Sequence, residues 1–563
     1  ISMMDKSNKN VILKIVGLAV VVFLVAYIGI IGLGPDDRGE LKKTKNAAKD
    51  LESIIKDIDV KTVPHQMGKV DIEPPNTKDA LPDISKYPPQ VESSTPSYIE
   101  IFSSTEKAGS GTDGWLTEVA RNFNNAKLII DGKQVSVRLR GIASGQGADY
   151  ITSGKYLPDA YTPSNELWGE MIVSRGVNAE LVEKRLVGNV AGILLTKSKK
   201  DELVTKYGAI NITTIVNAVA NKDLNMGYTN PFASSTGLNF LISTLQTFDS
   251  SNPLSDKAAA GFERFQANIP VVAYTTMELR NLVKSGDLDG FILEYQTYMN
   301  TPDIRSYEFI PFGFRHDSPM YAIGELSPEK RKILNQFVQF STQEKYQALA
   351  TRYGFNGLNQ YKPIAGPVGG DVIIQAQKLW KEKKDPKPIC AVFVADVSGS
   401  MMGGPLNNLK ISLSEGQKYI GQDNLIGLVS YSDGVNIDLP ISKFNLTQRA
   451  YFAGAVDDLQ AGGSTATFDA IAIAMDMITR QQAIDPNLKP MIFVLSDGET
   501  NRGHNLNDIR SIVEELGIPI NTIGYNADIE ALREISLINE GASINADTED
   551  VVYQIGSMFN AKL

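Results

Sequence analysis

The spacing of apolar and polar positions changes character along the chain, and each change predicts a different kind of element. Ile15 to Gly34 carries no charged side chain over about the 20 residues that cross a bilayer's hydrocarbon core. Lys6, Lys9 and Lys14 precede this run. Its apolar core is longer than that of a signal peptide, so it predicts an uncleaved transmembrane anchor. Residues 1–14 would then be cytoplasmic and the bulk of the chain extracytoplasmic, although Lys42, Lys43 and Lys45 reduce the charge asymmetry. Leu51, Ile54, Ile55 and Ile58 follow near helical spacing, which predicts a short amphipathic stalk over 41–58. Pro74, Pro75, Pro82, Pro88, Pro89 and Pro96 come next among few large apolar residues. The whole of 35–96 therefore reads as stalk and semi-rigid spacer.

Beyond the spacer the period alternates between strand and helix. A strand over 98–102, a helix over 115–124 and a strand over 135–139 open an α/β pattern. It continues through strands at 192–195, 270–274 and 289–295 and a helix over 328–353. The span 97–370 is large for one α/β core and predicts two lobes. A helix in 371–388 ends at Pro386 and Pro388, which cannot continue it, and reads as a linker. Residues 389–563 then alternate again: strand 391–395, helix 406–420, strand 425–430, helices 447–459 and 467–480, strand 491–495, helix 506–516, strand 519–523 and helices 529–537 and 550–560. This is the order of a doubly wound, Rossmann-like domain.

In such a sheet ligands gather at the carboxyl ends of the strands. VFVADVSGSMMGG places Asp396, Ser398 and Ser400 at one such end, AGGSTATFDA places Thr465 at a helix mouth, and MIFVLSDGET ends a second strand in Asp497. Two carboxylates and three hydroxyls, with no sulfur or imidazole, suit a hard divalent cation, Mg²⁺ above all, with Mn²⁺ or Ca²⁺ as alternatives. Read singly, each would be ordinary turn chemistry. Asp433 and Asp438 nearby read as solvated loop charge.

DVSGS, GGST and LSDGE in this order closely resemble the metal-ion-dependent adhesion site of the von Willebrand factor A domain, over about 175 residues. The resemblance implies that the Ser398, Ser400 and Thr465 hydroxyls touch the metal and that Asp396 and Asp497 act largely through water. It also implies that an acidic residue of a protein partner completes the shell. A phosphoryl-transfer role for Asp396 lacks the second acid, since Ser398 stands two residues on, and no GxxxxGK[ST] loop is present. Gly109, Gly111 and Gly114 match GxGxxG, but Asp131 falls before the next strand and not at its end, which argues against a dinucleotide.

Serine-rich loops recur in the first region, at Ser103 and Ser104, Ser144, Ser164, and Ser235. Singly each is an N-cap; together they predict a polar cleft between two lobes that takes a small polar or anionic solute. IEIFSSTEK, GWLTEVARNFN, SGKYLPDAYTPSNELW, TNPFASSTG and FVQFSTQEKYQALATRYGF resemble the bacterial type 2 extracellular solute-binding proteins. That resemblance implies a ligand between the lobes, touched by those five serines.

Composition narrows the function further. With 55 Lys+Arg against 65 Asp+Glu the formal charge is −10, which disfavours a non-specific nucleic-acid binder. One cysteine, Cys390, excludes an internal disulfide and a cysteine-rich zinc site, and only His65, His316 and His504 are available for imidazole chemistry. The combined expectation is a non-enzymatic, membrane-anchored extracytoplasmic protein that binds or adheres to a protein partner through a metal. The alternative is a transport receptor that captures solute and uses its C-terminal domain only for docking.

Overall fold

The computed structural model describes residues 35–73, 77–273, 288–384, 387–498, 500–525, 530–538 and 543–546, together with Tyr553, Gly556, Met558 and Phe559. The apolar run Ile15 to Gly34 and most of the helix expected over 550–560 lie outside the described residues. Among the described residues no helix is long and apolar enough to cross a membrane. The chain divides into two compact units, one built from 1–75 and 387–563 and the other from 76–386.

The first unit is built on a seven-stranded sheet in the spatial order Val60–Thr62, Val435–Lys443, Leu425–Tyr431, Ile389–Asp396, Lys489–Ser496, Ile520–Tyr525, Ser543–Ala546. Ile389–Asp396 pairs in parallel with a neighbour on each side, and all eight of its residues are buried. That double burial explains why ICAVFVAD reads as a continuous apolar run and not as an alternation. Cys390 is one of these buried residues, and burial pushes its thiol up to about 12. Helices Thr467–Ile484 and Leu506–Leu516 pack on the sheet and agree closely with their sequence periods. Val435–Lys443 was not expected as a strand; it runs antiparallel to Leu425–Tyr431, with register shifts between residues 426 and 429.

The predicted stalk and the start of the predicted spacer belong to this core. The helix Pro35–Ile55 packs against the helices Thr467–Ile484 and Leu506–Leu516. Leu51, Ile55 and Ile58 are buried in the same apolar cluster as Val392, Val394 and Ile471. The chain then adds Val60–Thr62 as an edge strand, in parallel register with Val435, Asn436 and Ile437. Next, the amide of Gly68 donates to the Ala450 carbonyl, and Lys418 pairs with Asp71. Helical spacing was right for 41–58, but the apolar stripe has a partner within the chain. Proline content misled because the polar residues around it satisfy their backbone groups along an existing sheet and helix.

The second unit has two lobes. One holds the sheet Ile129–Ile130, Lys133–Gly141, Ser97–Ser103, Ala160–Thr162, Met320–Ile323, Ala179–Glu183; the other holds Glu308–Arg315, Val190–Leu195, Gly290–Glu294, Met226–Thr229, Val271–Ala273. The chain crosses between them at 184–189 and again at 316–319. The expected single helix over 328–353 is two, Pro328–Ser341 and Glu344–Arg352, broken at Thr342 and Gln343. Gly370–Lys383, expected as a linker, packs on this unit. It lies against the helix Glu166–Ser174 of one lobe and the helices Ser235–Phe248 and Asp256–Gln266 of the other. A Cβ on Gly370 would stand 2.1 Å from the Glu170 carbonyl oxygen, so only glycine allows that approach.

Asp438 corrects the reading of a solvated charge: it is 8 % exposed, and one carboxylate oxygen has no partner. Burial raises it to about 7, against the pull of the Ser430 hydroxyl and amide. Because the folded value lies above the unfolded one, this group costs stability progressively as pH rises from about 4, its ordinary value, through about 7. Asp438→Asn is expected to raise the melting temperature at pH 8 and to leave it unchanged near pH 4, a difference on the order of 3 kcal/mol. Leu51→Ala is expected to destabilise the C-terminal unit by about 2–5 kcal/mol in denaturant titrations, leaving the transition of the other unit in place. A spacer residue would tolerate that change.

Candidate functional site

The strand Ile389–Asp396 ends at a fully buried carboxylate, and the next residues fold back on it. The Ser398 amide donates to Asp396 Oδ1 at 2.8 Å and the Ser496 hydroxyl to Oδ2 at 2.6 Å. The Ser398 and Ser400 hydroxyls stand 3.2 Å apart, and Ser400 Oγ donates to Asp497 Oδ1 at 2.8 Å. The loop bearing Thr465 is laced to the first: the Gly399 amide donates to Gly463 at 2.9 Å and the Gly462 amide to Val397 at 2.8 Å. Thr465 is itself held, its amide donating to Asn501 Oδ1 and its carbonyl accepting from Thr500 Oγ1. The structure therefore brings the Asp396, Ser398, Ser400, Thr465 and Asp497 loops to one end of the sheet.

Burial raises the Asp396 carboxyl above the usual range; Ser398 and Ser496 hold it down, and the nearby Asp497 charge adds to the rise. Among the described residues neither carboxylate forms an ion pair with a lysine, arginine or histidine. Two like charges share a site whose other polar atoms are hydroxyls and amides. Among the described residues no group of three or more His, Cys, Asp or Glu side chains is placed to hold a metal ion. Sequence reasoning missed Ser496 and Asn501, whereas Asp433, read as solvated loop charge, is indeed exposed, at 57 % of its side chain. Asp433 accepts from the Ser464 amide at 2.8 Å and so braces the Thr465 loop. Ser496 is the serine of LSDGE itself, but its contact to Asp396 depends on strand pairing.

In the second unit the five serines line a polar network between the lobes, and every hydroxyl already has a protein partner. Ser103 donates to the Ser104 carbonyl, Ser104 and Ser164 both donate to Glu106 Oε1, and Ser144 meets Ser164 at 3.2 Å. Ser235 accepts from Trp168 Nε1 at 2.9 Å, a bond from one lobe to the other. Two buried residues of this region were not anticipated. Lys107 has no exposed side-chain surface, and His316 Nδ1 lies 2.6 Å from Glu294 Oε1 while its Nε2 meets Asn165 and Asn239. Burial lowers Lys107 to about 8, with Glu106 and Glu294 opposing the shift. STEK is adjacent to the predicted loop, but nothing local shows that its lysine turns inward. Gly111, within the GxGxxG match, has φ +59° and caps a short turn before the helix Trp115–Asn125. A cavity of about 550 Å³ opens beside the crossing strands near Arg185, Arg315, Asp317, Tyr361 and Lys362, and none of the five serines lines it.

Comparison with known proteins agrees with both halves. Residues 391–558 match the model of the von Willebrand factor type A domain, and residues 107–356 that of the bacterial extracellular solute-binding protein. The human voltage-dependent calcium channel subunit alpha-2/delta-2 is 23% identical over 202 residues, 33% of this chain and 17% of that one. The chain thus spans less than a fifth of the length of that curated relative. Among solved structures, a von Willebrand factor type A protein from Catenulispora acidiphila has 19% identity and a TM-score of 0.28, covering 31% of this chain and 42% of its own. Iron-bound HitA from Pseudomonas aeruginosa has 14% identity and a TM-score of 0.36, covering 50% of this chain and 98% of its own. The chain accordingly joins a domain of the bacterial extracellular solute-binding family to a von Willebrand factor type A domain.

Proposed function

We propose that this protein is an extracytoplasmic, membrane-anchored binding protein whose C-terminal domain captures a protein partner through a divalent cation. The observation that carries this reading is the convergence of the buried Asp396, its carboxyl raised by burial, and of Asp497 on a cluster of hydroxyls, with no ion pair to either carboxylate among the described residues. A hard divalent ion supplies the missing charge and accepts all five oxygen donors, and Mg²⁺ suits two carboxylates with retained waters. Ser398, Ser400 and Thr465 would hold it directly, Asp396 and Asp497 largely through water. The ion contributes Lewis acidity toward an outside carboxylate, so the partner's contact residue is an aspartate or glutamate. Ser496 and the Ser398 amide keep Asp396 oriented, and Asn501 and Asp433 keep the Thr465 loop in register.

Support for an extracytoplasmic location is the solute-binding family match, and for anchoring the uncharged run Ile15 to Gly34. Support for the solute-receptor alternative is the solute-binding family match over residues 107–356.

Calorimetry and thermal melts of the full chain test the metal site. Mg²⁺ at about 100-fold its dissociation constant is expected to stabilise the C-terminal domain by about 2.7 kcal/mol. Asp396→Asn removes the buried charge, so its melting temperature is expected to rise in EDTA, while the response to Mg²⁺ or Mn²⁺ is lost. Pull-down of surface proteins should fail with EDTA and with Asp396→Ala. A wild-type chain that binds neither cation, or a partner retained in EDTA, would sink the reading.

A further inference from the structure

Residues 353–369 run from the helix Glu344–Arg352 to the helix Gly370–Lys383 and form neither helix nor strand. Loops this long are uncommon in compact domains and are usually functional. This one, together with the crossing strands, lines the cavity of about 550 Å³ in the two-lobed unit. It is anchored on either side of the stretch that does so. Arg315 Nη1 donates to the Leu358 carbonyl at 2.8 Å and to the Tyr361 carbonyl at 3.0 Å, and the Tyr361 hydroxyl donates to the Gly313 carbonyl at 3.0 Å. Gln246 Nε2 donates to the Gly366 carbonyl at 3.3 Å. The cavity is thus walled by fixed chain and has the volume of a small-molecule site.

Its lining is of two kinds. On the polar side Asp317 holds two guanidiniums together: its Oδ2 accepts from Arg185 Nε at 2.9 Å and from Arg315 Nε at 2.8 Å. The Arg315 side chain is only 9 % exposed, yet its Nη2 reaches just Asn359 Oδ1, at 3.5 Å, the outer limit of a hydrogen bond. Among the described residues the Arg185 side chain donates through Nε alone. The exposed Lys184 and Lys362 ammonium groups make no hydrogen bond or ion pair among these residues, and Lys184 acts on Glu166 only at longer range. Four cationic side chains, Lys184, Arg185, Arg315 and Lys362, therefore stand against three carboxylates, Glu166, Glu183 and Asp317, an excess of one positive charge. On the other side Phe314, Pro319, Pro363, Ala365 and Pro367 offer no side-chain donor or acceptor, and the prolines lack an amide hydrogen as well.

We propose that this cavity binds a small monocarboxylate with an aromatic body, its carboxylate on Arg185 and Arg315 and its ring against Phe314, Tyr361 and the prolines. A carboxylate matches guanidinium N–H groups in shape and charge, and a single negative charge cancels the excess. Ring faces pack well on aromatic and proline side chains. A bare oxyanion would leave the apolar wall against water, and a cation would meet the guanidiniums. Asp317 is the positioning residue, since it holds both guanidiniums through one oxygen. The site is separate from the serine loops, none of whose five hydroxyl residues lines it, and the inference does not depend on the metal reading, which concerns the other unit.

Thermal melts and calorimetry of the full chain in EDTA test it, with 3-phenylpropionate and indole-3-propionate as probes. Either carboxylate at millimolar concentration is expected to raise the melting temperature of the two-lobed unit by about 3 °C. The neutral 3-phenyl-1-propanol, the cationic 3-phenylpropylammonium and sulfate should leave it in place. Arg185 is 40 % exposed, so Arg185→Gln should melt close to the wild type while binding both carboxylates about tenfold more weakly. Ala365→Trp fills the cavity from a segment outside both sheets and should abolish binding in a chain that still folds. No response to either carboxylate, an equal response to the alcohol, the amine or sulfate, or binding that survives both substitutions would overturn the proposal.

Discussion

The pairing of Ile389–Asp396 with a parallel neighbour on each edge is the constraint on which the C-terminal unit depends. Its register with Leu425–Tyr431 and Lys489–Ser496 sets Asp396 beside Tyr431 and one step from Ser496. Because the strand is buried on both faces, its end can leave the core only at the carboxyl edge, where the following residues turn back to satisfy the carboxylate. The same pairing carries Asp497 toward Ser400 and aligns the loop of Thr465 with that of Gly399. A slip of one residue would turn Asp396 to the other face of the sheet and separate it from the hydroxyls.

The N-terminal segment depends on that sheet as well. Leu51, Ile55 and Ile58 cover apolar surface that the helices Thr467–Ile484 and Leu506–Leu516 leave open, and Val60–Thr62 shields the edge of Val435–Lys443. A covered edge strand has fewer unpaired backbone groups with which to recruit another chain. In chain order the two-lobed unit is therefore inserted into the other, entered after residue 75 and left at residue 386.

The two sites show opposite electrostatic solutions to buried carboxylates. Asp396 is held by the Ser398 amide and the Ser496 hydroxyl, and Asp497 by the Ser400 hydroxyl. Glu106 lies 3.9 Å from the buried Lys107 ammonium, and Glu294 meets the His316 imidazole, whose other nitrogen meets Asn165 of one lobe and Asn239 of the other. Burial costs Lys107 more than its neighbours return, since its value falls to about 8, yet that value keeps it charged at neutral pH.

Sequence by itself determined most elements and the local motifs: the strand and helix periods of the C-terminal domain apart from Val435–Lys443, the DVSGS and LSDGE loops at strand ends with GGST at a helix mouth, and the serine loops of the two-lobed region. These were legible because periodicity, turn chemistry and spacing are local properties of consecutive residues. Only tertiary structure decided that the stripe of Leu51 and Ile55 belongs to a core more than 300 residues away, and that Asp438 is buried. It likewise decided that Gly370–Lys383 spans two lobes, and that Lys107 turns inward to meet Ser104 and Thr162. In each case the deciding partner is remote in the chain. An apolar stripe or a charged side chain signals that it needs a partner, but not which one it finds.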